Sequence, residues 1–470
     1  MLLESGKNHF VRDLMATVLE EDYDTRDVSE NELTVWDSLK THLRKYSQQE
    51  ERLDAISEDE NPIPQKYDPE AEPMVQARQI LDNYEEEVEK ERENRVDLSD
   101  GSIGIANDPD HAKDHDDAYN VFEHEDGSYT AQVHIADVTH FIDQGSPIDK
   151  ALMDRNVTFY LGDNTRHMTP EALAQDVFSL APGQDRLALT IEMDFDRNGN
   201  RKDTEIYESI VNTEHLTYTH VDSILDAGDE LEDFYKQEIL ENEQAKEFKD
   251  MSRTISDAEN LADKLRRNRW DESLILNDRD SKSSKIVEEL MIEANSAAGD
   301  YIRENRDAGL FRVEPEPEQD FGENAAEVLQ DYGYNLDDLD GDIHRDTART
   351  LNNFFQKTKD SEPGVDTIKN DEDHIKEVRT EIVKNLERAE FKASLSGESM
   401  PDKKEIHDGL EILDYAQTTS PIRRLPDLWN HRILKEDDWT WSTLLEVAEN
   451  TTQQQMIADE ASRVWYDAST

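Results

Sequence analysis

Acidic side chains outnumber basic ones by 112 to 51, a formal net charge of -61, and that excess is the strongest constraint on what the chain can fold into. Like charges repel over a range set by ionic strength, and only concentrated salt shrinks that range to a few ångströms. The first alternative is an acidic disordered chain, in which too little apolar surface is available to offset the entropy of ordering. Yet 35% of the residues are hydrophobic, and Leu, Ile, Val and aromatic residues recur at regular spacings from end to end, which a solvated tail does not need. The first hundred residues carry about their proportionate share of the excess, so the acids dress a folded surface. A length of 470 residues admits several domains or one large enzyme core with attachments, and excludes a minimal binding module. The expectation is a folded, salt-adapted protein of a high-salt intracellular environment.

The absence of Cys removes disulfides, thiolate nucleophiles, zinc fingers and cysteine-held clusters. Glu4, Lys7 and His9 interrupt the first ten residues where a secretory signal would be apolar, and no apolar run reaches the ~18 residues of a membrane span. A cytoplasmic, monomeric protein without membrane contact is the default expectation. By net charge alone, nucleic acid is a poor partner, because basic patches dominate that affinity.

The hydrophobic period changes along the chain. Ser29 to Glu32 resembles a capping box ahead of Leu33, Trp36, Leu39, Leu43 and Tyr46, an amphipathic helix. A stretch with Pro62, Pro64, Pro69 and Pro73 reads as linker, and Met74, Ala77, Leu81, Tyr84 and Val88 mark a second helix. Residues 1–93 thus read as a helical extension, with one further domain over 94–470. From Val96 onward strand signals take over: Ala118 to Phe122 and Tyr129 to Phe141 flank the turn Glu125-Asp126-Gly127, and Leu187 to Phe195 and Thr204 to Val211 flank Gly199. Helices are expected over Ile255 to Arg267 and Ile286 to Ile302, whereas residues 313–385 are acidic and poorly periodic, with a short helix at Ala325 to Asp331. The fold class is α+β, a mainly antiparallel sheet with packed helices.

The most informative segment runs from Asn107 to Ala118, with Asp108, Asp110, Asp114, Asp116 and Asp117 just before a strand. Close carboxylates are costly unless a cation neutralises them, and oxygen ligands suit Mg²⁺ or Mn²⁺. The spacing is not that of an EF-hand, and His115 alone does not make a zinc site. In so acidic a chain a solvated charge run is an equal alternative, though these acids alternate with apolar residues and lead into Ala118, Asn120 and Phe122. On the next strand, His134 and Asp137 place an imidazole and a carboxylate nearby, with a structural hydrogen-bond pair as the plainer reading.

At this point the chain resembles the catalytic domain of the RNase II/RNase R family of processive 3′ to 5′ exoribonucleases. The resemblance rests on Asp108 to Ala118, His134 to Val138, Met168 to Glu171, Ser179 to Leu189, Val287 to Met291 with Ala294-Asn295, Arg312 to Pro315, and Thr419 to Arg424 with Asp427 and His431. These blocks keep the family's order over about residues 95–465. His115 stands where a Phe or Leu is usual, and Gln417 where a His often stands. Neither cold-shock barrels before the domain nor an S1 barrel after it fit the sequence, so both are expected to be absent.

The resemblance implies single-stranded RNA as partner and two Mg²⁺ ions, or Mn²⁺, during catalysis. It makes Asp108, Asp114, Asp116 and Asp117 the metal ligands, with Asp114 and Asp116 catalytic, and Arg423 the donor to the scissile phosphate, with Arg424 its near rival. The alternative for both arginines is pairing with local acids. Tyr160 would stack on the nucleotide near the cleaved end, or else pack in the core, and Glu289 would touch the terminal nucleotide or lie on a helix surface. Arg267 and Trp270, with Lys264, Arg266 and Arg269, form the densest basic and aromatic cluster, read as a guide for RNA backbone. The N-terminal helices are read as a candidate docking surface for protein partners. A Mg²⁺-dependent nuclease acting on DNA would share the site, and a silent RNA-binding or scaffold protein would share the fold.

Overall fold

A computed structural model describes residues 63–99, 103–109, 112–161, 164–237, 243–270, 281–313, 321–335, 350–351, 354–355, 372–383, 389–395, 406–407 and 412–467. The capping box at Ser29, the helix expected from Leu33 and the acid at Asp110 lie outside those residues. The chain divides into a larger unit, Tyr67–Val157 with Met168–Thr452, and a smaller one of Met1–Lys66, Thr158–His167 and Gln453–Thr470.

The larger unit begins with α1 (Glu72–Glu91), which has a proline in its first turn and buries Ala77, Tyr84 and Val88 along one face. Next come β1 (Val96–Asp97), β2 (Gly104–Asp108), β3 (Asp117–Glu123), β4 (Tyr129–Ala136), α2 (Pro147–Arg155), α3 (Glu171–Ala174), β5 (Arg186–Phe195), β6 (Arg201–Val211) and β7 (Thr213–Thr217). Among the described residues the strands form one sheet in the order β1-β6-β5-β4-β3-β2-β7. Its centre is antiparallel, as the turn signals imply, while β1 on β6 and β2 on β7 are parallel. The strand expected over Tyr129 to Phe141 stops at Ala136, and a short 3₁₀ turn, Val138–His140, takes over. Gly199 turns β5 into β6 with φ +82°, a conformation side chains rarely adopt.

Helices cover this sheet: α4 (Tyr218–Gln237), α5 (Glu243–Trp270) and α6 (Lys282–Asn305), the last two longer than their apolar spacing alone indicates. Ile255, Ala258, Leu261 and Leu265 of α5 and Leu290, Ala294 and Ala298 of α6 are buried in the same core as Tyr119, Val133 and Ile191. Ala77, Tyr84 and Val88 of α1 belong to that core too, so this helix is packed on the sheet's domain and not held apart from it. Beyond lie β8 (Ala308–Val313), α7 (Phe321–Asp331), α8 (Glu372–Val383), β9 (Glu390–Leu395), β10 (Ile406–His407), β11 (Ile412–Leu413), α9 (Leu425–Leu434) and α10 (Trp441–Asp467). Residues 313–385, unreadable by periodicity, hold a second small core in which Leu329 and Val378 meet Leu351, Phe354 and Phe355. No helix among the described residues is long and apolar enough to cross a membrane.

Candidate active site

The end of β2 and the start of β3 supply the acids. These strands run antiparallel with Ile105 opposite Tyr119, so Asp108, last in β2, and Asp117, first in β3, meet at one end of the sheet. The intervening loop is pinned from one side: the Ser179 hydroxyl accepts from the His115 N–H at 3.0 Å and donates to the Lys113 carbonyl at 2.9 Å, and the Leu180 N–H donates to the His115 carbonyl at 2.9 Å. A loop held in this way is no solvated charge run, because Asp114 and Asp116 stay in fixed positions beside the sheet.

The arginine segment arrives from 306 residues further on, where the Ile422 N–H donates to Asp116 Oδ1 at 2.8 Å. Arg423 Nε donates to Asp116 Oδ2 at 3.0 Å and its Nη2 to Ser420 Oγ at 2.9 Å. Arg424 turns instead to Asp427, its Nη2 donating to Oδ1 at 2.7 Å, and the same oxygen accepts the Ser420 N–H at 2.9 Å. Both arginines thus meet acids, as the local-pairing alternative has it. Arg423 meets an acid of the cluster, and Arg424 an acid that shapes its own turn.

Helices α6 and α9 hold this segment in place. Asn295 Oδ1 accepts the Thr418 N–H at 2.7 Å, its Nδ2 donates to Thr419 Oγ1 at 3.3 Å, and His431 Nε2 bonds the Thr418 carbonyl at 2.7 Å. A Cβ at Gly299 would lie 1.6 Å from the Asp414 carbonyl oxygen, so only glycine lets α6 approach the chain this closely. Asn295, Ser179, Asp427 and His431 lie in sequence blocks that already stand out, yet their positioning roles emerge only when the distant contacts form.

Electrostatically the site is short of positive charge. Burial pushes the Asp116 carboxyl up to about 8, Arg423 and the Ile422 N–H pull it back in part, and Asp114 and Asp117 add to the rise. Burial also raises Asp117, with Asp108 pushing the same way against Arg423, Arg424 and His115. Acids that raise one another inside a low-dielectric site fit a hard divalent cation, since carboxylate oxygens are the donors such an ion takes. Asp108, Asp114, Asp116 and Asp117 are the residues that would hold it.

The RNB domain family matches residues 95–437. The chain belongs to the RNB family. Ribonuclease R of Aquifex aeolicus is 30% identical over 406 residues, covering 80% of this chain and 52% of the relative. The chain therefore spans about half the length of the curated relatives it matches. In fold it is similar to Mycoplasma genitalium RNase R, solved in complex with ribose-methylated single-stranded RNA (TM-score 0.64, 20% identity, 84% of this chain and 64% of that one). It is similar as well to yeast Ssd1, described as a pseudonuclease (TM-score 0.60, 19% identity, 80% of this chain and 45% of that one).

The remaining candidates of this RNB domain are placed less as the sequence implies. Glu289 is not on a helix surface: it is 2% exposed and accepts from Arg269 Nη2 at 2.5 Å, with burial raising its carboxyl against that arginine. Arg266 also approaches Glu289, at 3.9 Å, so two of the four bases read as an RNA guide face a buried acid of their own domain. Arg267 is exposed and donates to the Asp263 carbonyl at 2.9 Å. Lys264 lies over the Tyr129 ring. Trp270 ends α5, and its side chain lies outside the described residues. Tyr160 belongs to the smaller unit and is 39% exposed, so it is not a core tyrosine; Phe159 beside it exchanges backbone hydrogen bonds with Arg166 at 3.0 and 2.9 Å.

His134 and Asp137 are not a pair. The imidazole sits between Thr190 Oγ1 and Asn120 Oδ1, both at 2.9 Å, and Asp137 binds Arg95 and Lys435. His215, on β7, attracts no notice in the sequence, yet its ring lies 4.4 Å from that of His115.

Proposed function

We propose that the chain is a processive 3′ to 5′ exoribonuclease that hydrolyses single-stranded RNA to 5′-nucleoside monophosphates in a high-salt cytoplasm, using Mg²⁺, or Mn²⁺, with two ions engaged during hydrolysis. The observation that carries the reading is Asp116: a buried acid, raised by its acidic neighbours, fastened to Arg423 by the segment on which the RNB resemblance depends. The relatives and fold neighbours named Ribonuclease R support it.

The chain's own residues have separate tasks. Asp108, Asp114, Asp116 and Asp117 would hold the cations, which supply a water activated near neutral pH and neutralise charge on the phosphoryl oxygens. Arg423, with its side chain 39% exposed while Asp116 fixes its Nε, offers a planar donor fork to a phosphate as charge develops. The Asp116 and Ser420 bonds fix that fork beforehand, so little reorganisation is needed at the moment of reaction. Tyr160 would stack on a base without preference among the four, as a nonspecific exonuclease requires. Against the net charge of -61, binding would lean on stacking, 2′-hydroxyl contacts and the cations, which salt screens less than it does distant charges.

Matched single-stranded RNA and DNA, incubated with the protein and Mg²⁺ in molar salt with and without a chelator, test the reading. Mononucleotide release from RNA alone, abolished by chelation, is expected. Equal release from DNA would make the protein a nuclease of the other class, and RNA binding without release would make it a silent binder that shares the fold.

A further inference from the structure

We propose that Asp108, His115 and His215 form a binding site for a transition-metal ion of the zinc class, one that shares Asp108 with the oxygen-only aspartate cluster and differs from it by two imidazole donors. One ligand atom of each of the three residues lies within 4.8 Å of the others. His115 Nδ1 is 2.7 Å from Asp108 Oδ2, and the two imidazole rings are 4.4 Å apart at an interplanar angle of 36°. The sheet explains the convergence. β2 and β7 run parallel with Ala106 opposite His215 and Asp108 opposite Thr217, so Asp108 and His215, two positions apart in register, project from the same face. His115 closes the group from the loop that Ser179 and Leu180 pin, and is itself 5% exposed.

Two imidazoles and one carboxylate are the three-ligand set that leaves one tetrahedral position open on Zn²⁺, and imidazole nitrogen selects borderline ions over Mg²⁺. An ion bound here takes the place of the direct contact between His115 Nδ1 and Asp108 Oδ2. The resemblance gives His115 no counterpart, since a Phe or Leu is usual there, so the site is a property of this chain's own residues. In sequence, His115 alone is no zinc ligand set, and the fold brings the missing nitrogen from a residue a hundred positions away.

Isothermal titration of the metal-free protein with Zn²⁺, in a large excess of Mg²⁺ and molar salt, tests the site without reference to RNA hydrolysis. One tightly bound equivalent is expected. Altering a residue that merely supports a metal ligand costs ~10–100-fold in affinity, so His215→Ala and His115→Phe, which each delete a ligand, should lower it by at least ~100-fold. X-ray absorption at the zinc edge of the wild-type protein needs no variant to fold and should show two imidazoles in the first shell. An oxygen-only shell, displacement of Zn²⁺ by Mg²⁺, or affinity within ~3-fold of wild type in both folded variants would overturn the proposal.

Discussion

Asp116 and Asp137 are both buried aspartates beside the paired strands β3 and β4, and they have opposite electrostatic fates. Asp137 meets Arg95 Nη2 at 2.8 Å and Lys435 Nζ at 3.0 and 3.1 Å. Burial alone would raise its carboxyl, but Lys435 and Arg95 outweigh burial and hold it well below the ordinary carboxylate range. Asp116 meets one guanidinium and two more acids, and burial prevails. The difference is one of local cation count. Where the fold delivers two cations to one buried acid, the acid serves the structure; where acids outnumber cations, the missing charge has to come from solution, and an ion-binding site results.

The largest effect expected on the structural side follows from Asp137→Asn. Removing the acid leaves Arg95 and Lys435 with the part-exposed Glu208, 3.0 Å from each, as their shared carboxylate, so stability should fall by ~3 kcal/mol in denaturant titration. Arg423→Lys bears on the other member of the comparison. A point charge replaces the fork, and turnover on RNA should drop by ~10²-fold while folding stays near wild type. Loss of folding in place of turnover would make Arg423 the equivalent of Lys435, a structural counter-ion.

Acid titration of stability gives the smallest and most graded signal. Because Asp137 titrates below its ordinary 3.8 in the folded protein, the stability it contributes is present above that value and is lost as pH falls beneath it. The difference in unfolding free energy between wild type and Asp137→Asn should therefore be constant near neutrality and shrink below about pH 4. A difference that grows on acidification would contradict the ion-pair assignment.

Much of this was legible in the sequence, and the boundary of what was legible has a physical cause. Strands that flank tight turns, such as β3 through β6, announce themselves by their apolar runs and turn residues, and the face of α6 does so by spacing. β1 is two residues long, and β7 reads Thr-Glu-His-Leu-Thr, so neither carries a period; both are strands because a parallel neighbour supplies their hydrogen bonds. The second small core is built from short segments with few apolar residues each, set among acids, so no window of sequence contains enough of it. At the site the aspartates were visible as a cluster. What decides their chemistry was not: the Arg423 contact, the Asn295 and Asp427 supports and the His115–His215 approach all join residues far apart in the chain. The basic cluster on α5 divides for the same reason: Arg266 and Arg269 face Glu289 on another helix, while Arg267 stays exposed.

The most direct test of the comparison is Asp116→Asn, with single-turnover cleavage and binding of RNA measured on the same preparation in Mg²⁺. Replacing an acid that lacks enough counter-charge with a neutral amide should leave the fold intact and RNA affinity within a few-fold, while cleavage falls by ~10³-fold or more. Parallel loss of binding and cleavage, or cleavage that survives, would contradict the account.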